Sequence, residues 1–411
     1  MKNYFLFLFI LFLSSGHLYS QNNEMVVPAD GAYVPELSSF DNGMVSFMKK
    51  YKIPGGQLSV MKNGKIVYSR AFGYSDLKKS IPVKTTDLMR IASNSKPITG
   101  VAILKLIEDG KLKYDDKAFD ILSNLTPPPG RTVIDKRIYD ITVRMLLEHT
   151  AGWTWENGDP QYKYSRYAAD ILGKPRPGIP EDIIRVIMSE KLDYTPGTKN
   201  VYSNLGYNIL ARIIERISGK KYEEYVKEKI LKPAGITDMH LGKTKKRDLR
   251  SDEVFYYGIT DNDLKWSVFD DDTLQVTDSY GGDYVMELMD GHGGWISTTD
   301  DLVKFINSTD PKTKGTKILK PETVSEMIKP DYPNLNPRQG KAWDIEDNGQ
   351  EWIHAGGIYG SGSYMSRNGN TGVTYAVTFN LLDMENMDKY YPDIFKVMIP
   401  DALSKVTKWP E

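Results

Sequence analysis

The chain of 411 residues contains no cysteine. That absence excludes disulfides, thiolate nucleophiles, iron–sulfur clusters, cysteine-ligated zinc and a lipidated N-terminal Cys. Histidine is scarce too. The five residues stand at positions 17, 149, 240, 292 and 354, and no two are spaced HxxxH, so a helical zinc site is not expected. Charge of one sign is also lacking: 53 Lys and Arg face 54 Asp and Glu, a net charge of −1. A nucleic-acid partner needs a strong basic field or stripe, and this near-neutrality gives it no support. No cofactor is expected, and the expected partner is a small-molecule or peptide substrate. Long apolar runs are missing as well. The longest, Tyr4 to Leu13, follows Lys2, is too short to span a bilayer comfortably, and breaks at Ser14-Ser15-Gly16. This predicts an export signal over 1–20, cleaved after Ser20. An uncleaved N-terminal anchor is the rival reading. Cleavage leaves residues 21–411 with no stable membrane span, in a periplasmic or secreted protein.

What remains has an ordinary globular balance, 40% hydrophobic and 26% charged. An extended lead-in over 24–37 precedes a short helix over 38–51. Asn63-Gly64 between two alternating runs, 57–62 and 65–72, predicts a β-hairpin. Residues 93–109 read as a helix stopped at Gly110, apolar on nearly every face and therefore buried. Further helices are expected at 141–148, 180–191, 204–218 and 221–231, and a last one over 392–406. Strands return at 352–354, 360–366 and 371–382. Strands at both ends and helices between imply one α/β (α+β) domain. It would hold an antiparallel sheet built from both termini and flanked by helices, with a helical subdomain inserted at roughly 115–290.

A chain without thiols or a metal cluster is left with hydroxyl nucleophiles or paired carboxylates. There is no G-x-S-x-G elbow, so the search turns to S-x-x-K, in which an amine activates the serine. The motif occurs at Ser46, Ser59, Ser75, Ser93 and Ser218. Ser46 sits late in a short helix, Ser59 on a strand, Ser75 in a turn and Ser218 at a helix end. Only Ser93 opens a long buried helix, where Lys96 at i+3 shares its face. Burial and the positive end of the helix favour the neutral amine. Ser93 as a plain helix cap is the bland alternative.

Tyr-x-Asn occurs at Tyr202-Ser203-Asn204, just before a helix, and at Tyr332-Pro333-Asn334 in a Pro-broken loop. In the first, a phenol can shuttle protons and an amide can hold a substrate amide. His-x-Gly occurs at His240, His292 and His354; only His354-Ala355-Gly356-Gly357 opens the C-terminal strands. Its glycines allow a substrate backbone to approach, and the N–H groups of Gly357 and Ser93 suit an oxyanion hole.

Ser93-Asn94-Ser95-Lys96, Tyr202-Ser203-Asn204 and His354-Ala355-Gly356, in that order, resemble the serine β-lactamase and penicillin-binding-protein superfamily. The likeness is to its class C-like branch, with D-alanyl-D-alanine carboxypeptidases, D-aminopeptidases and esterases. Residues 54–116, Leu146-Leu-Glu-His-Thr-Ala-Gly152, 196–236 and 291–305 match its style, and the resemblance covers roughly 50–400. It implies a β-lactamase/transpeptidase-like fold and a serine hydrolase that forms an acyl-enzyme. Ser93 would be the nucleophile, Lys96 its base and Tyr202 the proton relay. Asn204, His354, Gly356 and Gly357 would bind substrate, and His149 would brace the site. The third motif is HAG, where true class C β-lactamases carry Lys-Thr-Gly. A small amide, D-amino-acid peptide or ester therefore fits better than a β-lactam. β-Lactam hydrolysis and non-catalytic binding of cell-wall peptides are the alternatives. A metalloenzyme using Asp270-Asp271-Asp272 is a remote third.

Overall fold

A computed structural model describes residues 27–156, 158–258, 264–270 and 275–410. The expected export signal lies outside the described residues. No helix among those described is long and apolar enough to cross a membrane.

The main sheet is antiparallel throughout. Its long strands are β1 (Gly55–Lys62), β2 (Lys65–Asp76), β4 (Glu351–Ile358), β5 (Ser361–Asn368) and β6 (Val373–Phe379), with the short β3 (Asp344–Glu346) at one edge. The order is Ala29–Asp30, β2, β1, β6, β5, β4, β3, and Ile81–Pro82 also pairs with β2. The two ends of the chain meet where β1 pairs with β6, from Gly56 opposite Phe379 to Lys62 opposite Val373. Asn63 and Gly64 both have positive φ, 51° and 86°, the backbone that a two-residue hairpin turn requires.

Both faces of the sheet are covered. Leu58 and Val60 face the helix α1 (Ser38–Tyr51) and the C-terminal helical segment 387–404, in a core with Phe47, Tyr364, Phe379 and Ile394. The alternate positions of β1 look polar in sequence, yet they too are buried. Ser59 Oγ lies 2.7 Å from Thr299 Oγ1, and Gln57 Nε2 donates to the carbonyls of Lys84 and Asp87, each at 2.7 Å. The alternation on β1 therefore separates two interior layers and not inside from outside.

The second face packs on α2 (Ser95–Glu108), whose residues from Ser95 to Leu104 are all buried. It runs beside α4 (Asn204–Ser218), and α5 (Thr299–Thr309) closes the layer. The expected helix at 93 begins two residues later. Ser93 lies in a 3-10 turn, Ala92–Asn94, that leads into α2. Such a turn also sets i beside i+3, so the pairing of Ser93 with Lys96 survives the shift. A helix absent from the sequence reading, α3 (Pro160–Ile171), is capped by Asp159.

Candidate active site

Ser93 stands on strained backbone: Ala92, just before it, has φ of 46°. Lys96, one turn on, is fully buried, and its Nζ lies 3.2 Å from Ser93 Oγ. Tyr202 donates its phenolic hydrogen to the same Oγ at 2.7 Å. Lys96 Nζ also donates to Asn204 Oδ1 at 2.6 Å and to the His292 carbonyl at 3.0 Å. Ser93 and Lys96, Tyr202 and Asn204, and the His292 carbonyl thus converge from three distant segments. Burial lowers the Lys96 pKa well below the usual lysine range, although the carboxylate of Asp159 opposes the shift. Burial raises the Tyr202 phenol, so it keeps its proton across the physiological range.

His149 braces this group, as expected. Its Nδ1 accepts from the Ser203 backbone N–H at 3.1 Å, and its ring packs 4.6 Å from that of Tyr202. His292 is buried and offers its backbone, not its ring, to Lys96. The other S-x-x-K serines lie elsewhere in the fold, Ser59 inside the sheet and Ser218 at the end of α4.

Strand β4 forms the opposite wall. β3 pairs only with Glu351–Ile353, which frees that edge of β4 from His354 onward. The role expected of Gly356 changes here. A Cβ on it would lie 2.2 Å from the Ile91 carbonyl oxygen and 2.9 Å from the Ser93 backbone nitrogen. Gly356 makes room for the protein's own turn at Ser93, and it also lines the cavity. Gly357 lines the cavity beside Ser93 and His354.

His354 Nδ1 sits 3.1 Å from Asn94 Oδ1. Burial first, then Lys96, lowers its pKa to about 3, so at neutral pH it brings no charge to the site. Its proton uptake differs between states: the unfolded residue protonates near pH 6.5, the folded one only near 3. Between those values the unfolded chain binds more protons, so stability falls as the pH falls through this window. In a titration followed by NMR, His354 is expected to stay neutral down to pH 5. A midpoint near 6.5 would show instead that the ring is solvated.

The cavity holds about 900 Å³. Trp155 lines the cavity and donates Nε1–H to the Tyr202 carbonyl at 2.7 Å. Asp283 and Tyr284 also line it. Tyr284 is fixed there by the buried Arg90, which donates to its hydroxyl at 2.8 Å and to the Ser279 carbonyl at 2.6 Å. Sequence reasoning missed Asp159, Tyr162 and Asp344, all on the cavity wall. Asp159-Pro160 signals a helix start, but nothing local says that this cap also faces Ser93. Asp270 of the acidic run accepts from the Arg176 backbone N–H at 2.8 Å and is not in the cavity wall; Asp271 and Asp272 lie outside the described residues. No metal-holding group of acidic and His residues occurs among those described.

Residues 40–396 match the family described as Beta-lactamase. The chain belongs to the beta-lactamase family. It is 31% identical to penicillin-binding protein 4* of Bacillus subtilis over 260 residues, 61% of this chain and 51% of that protein. The chain therefore spans about half the length of that relative. Among solved structures, an octameric penicillin-binding protein homologue from Pyrococcus abyssi superposes with a TM-score of 0.65 at 25% identity. The overlap covers 91% of this chain and 79% of that one. The D-amino acid amidase of Ochrobactrum anthropi SV3, solved with L-phenylalanine amide, shares the fold. Its TM-score is 0.65 at 21% identity, over 90% of this chain and 99% of that one. The expected β-lactamase/transpeptidase-like fold is thus the one found. The Ser93–Lys96–Tyr202 cluster lies beside the cavity of this family member.

Proposed function

We propose that the protein is an exported serine hydrolase that cleaves a small amide, D-amino-acid peptide or ester through an acyl-enzyme on Ser93. Residues 21–411 act as one composite unit in this reading. The observation that carries it is the set of partners around Lys96. A neutral amine has two hydrogens and one lone pair. Asn204 Oδ1 and the His292 carbonyl take the two hydrogens, which leaves the lone pair for the Ser93 hydroxyl at 3.2 Å.

The steps follow from that arrangement. Ser93 Oγ attacks the acyl carbon while its proton passes to Lys96 Nζ. The developing oxyanion is held by the backbone N–H groups of Ser93 and Gly357. As the C–N or C–O bond breaks, the proton gained by Lys96 returns through the Tyr202 phenol to the leaving atom. Water then attacks the ester, giving its proton to the same relay, and Ser93 is released. The uncharged His354 lacks the cation that a β-lactam carboxylate needs, which favours amides and esters over β-lactams.

A fluorophosphonate probe is expected to label one residue, Ser93, and Ser93→Ala is expected to abolish the label in folded protein. Stoichiometric labelling of the Ala variant elsewhere would sink the assignment.

A further inference from the structure

We infer that this site takes acyl groups bearing a free α-ammonium, and that Asp159 is the residue that selects them. The inference rests on the acyl-enzyme reading of Ser93 and narrows its substrate class. It starts from Asn204. The family resemblance assigns this amide to a substrate acyl amide, yet both its polar atoms are engaged. Oδ1 accepts from Lys96, and Nδ2 donates to Asp159 Oδ2. Nδ2 keeps a second hydrogen, but an N-acyl carbonyl brought to it would lie beside the carboxyl oxygen of Asp159. Oxygen against carboxylate is repulsive, whereas an ammonium finds an acceptor with lone pairs to spare.

The setting of Asp159 points the same way. It is 9% exposed and lines the cavity together with Ser93. Its other oxygen, Oδ1, accepts one backbone N–H, from Gln161 at 2.8 Å. Burial raises its pKa, and the opposing influences are Asn204, Gln161 and Lys96. Of these only Lys96 can carry charge, and its own burial favours the neutral amine. Asp159 therefore sets a carboxyl group beside Ser93 without a full counter-charge, and an arriving cation would stabilise its ionised form.

The rest of the wall agrees. Among the described residues lining the cavity there is no Lys or Arg, and His354 is uncharged. Asp283 and Asp344 also line it, and burial raises the pKa of both, with Lys265 and Arg166 opposing the rise at Asp283 and Arg338 at Asp344. Trp155, Tyr162 and Tyr202 surround the Asp159 side with aromatic surface that suits an ammonium and an apolar side chain together. The ligand class is an amino-acid amide, ester or peptide N-terminus with its amine unblocked.

The test is competition against fluorophosphonate labelling of Ser93 at about pH 6.5, where an α-amine is protonated. The competitors are D- and L-phenylalanine amide, their N-acetyl forms and 3-phenylpropanamide, which lacks the amine. At least one free-amine amide is expected to protect Ser93 half-maximally at a concentration at least about tenfold lower than the neutral analogues. Asp159→Asn is expected to bring the ratio within about threefold, and Asp159→Glu to keep it above that. Equal protection by all competitors, protection by none, or a preference unchanged in Asp159→Asn overturns the inference while labelling of Ser93 leaves the acyl-enzyme reading standing. Absence of the label on wild-type Ser93 overturns both. If Asp159→Asn fails to fold, judged by circular dichroism, the wild-type ratio alone decides.

Discussion

Lys96→Met is expected to cut kcat/KM for an activated ester by about 10³-fold or more, toward the upper end of what a positioned general base contributes. Methionine keeps the length and the burial but has no lone pair able to take the Ser93 proton. The raised pKa of Tyr202 keeps the phenol protonated, so it is a poor substitute base. The pH profile sharpens the test. In the wild type the acid limb reports Lys96 losing its proton, and it falls well below the ordinary lysine value of about 10.4 because burial disfavours the ammonium. In the variant that limb disappears.

Stability carries the same signature with a defined sign. An unfolded Lys is protonated up to its ordinary pKa, while folded Lys96 is neutral down to its lowered one. Across that window the unfolded state binds the extra proton, so the wild-type fold gains stability as the pH rises. Lys96→Met removes this slope, and wild type is expected to gain on the variant between pH 7 and 9 in urea unfolding. A variant within tenfold of wild-type activity would mean that another group activates Ser93.

Arg367→Met is expected to destabilise the fold by about 3–5 kcal/mol, the usual cost of stranding one partner of a buried ion pair. Arg367 on β5 donates Nε and Nη2 to the two oxygens of Asp310, at 2.6 and 2.7 Å. Nη1 reaches the Gln350 carbonyl at 3.1 Å, and the guanidinium lies 4.5 Å from the centre of the Trp352 ring. The two side chains are 3% and 2% exposed, so water does not replace the lost partner. Asp310 follows α5 directly, which makes the pair a clamp between the sheet and that helix. Adding Asp310→Leu is expected to return most of the loss, because the stranded charge then goes too. Urea titrations of the single and double variants measure both terms. A single-variant loss under about 1 kcal/mol would mean that the pair behaves like a surface bridge.

Legibility in the sequence followed how local the cause was. The hairpin at Asn63-Gly64 was readable because a turn with two positive φ values selects its own residues. α2 and α4 were readable from long apolar patterns and from Gly110 and Gly219 at their ends. α3 was not. Its buried face is Gln161, Ser165, Ala168 and Ala169, small or polar residues that leave no apolar stripe to see. Its cap, Asp159, looks like any other Asp before a Pro. Gly356 was read as room for substrate because sequence records that a Cβ is missing, not which atoms fill the space.

The lack of cysteine, the position of one S-x-x-K on a buried helix and the order of the three motifs were enough to name the cluster and the family. Those are matters of residue type and near-neighbour spacing, which the chain carries with it. The protonation states belong to the tertiary structure. Lys96 meets Asn204 across 108 positions and the His292 carbonyl across 196, and desolvation by such distant segments sets its pKa. The same packing silences the charge of His354 and sets Asp159 on the Asn204 amide. Spacing along a chain does not encode a dielectric, and here the dielectric decides which groups hold protons.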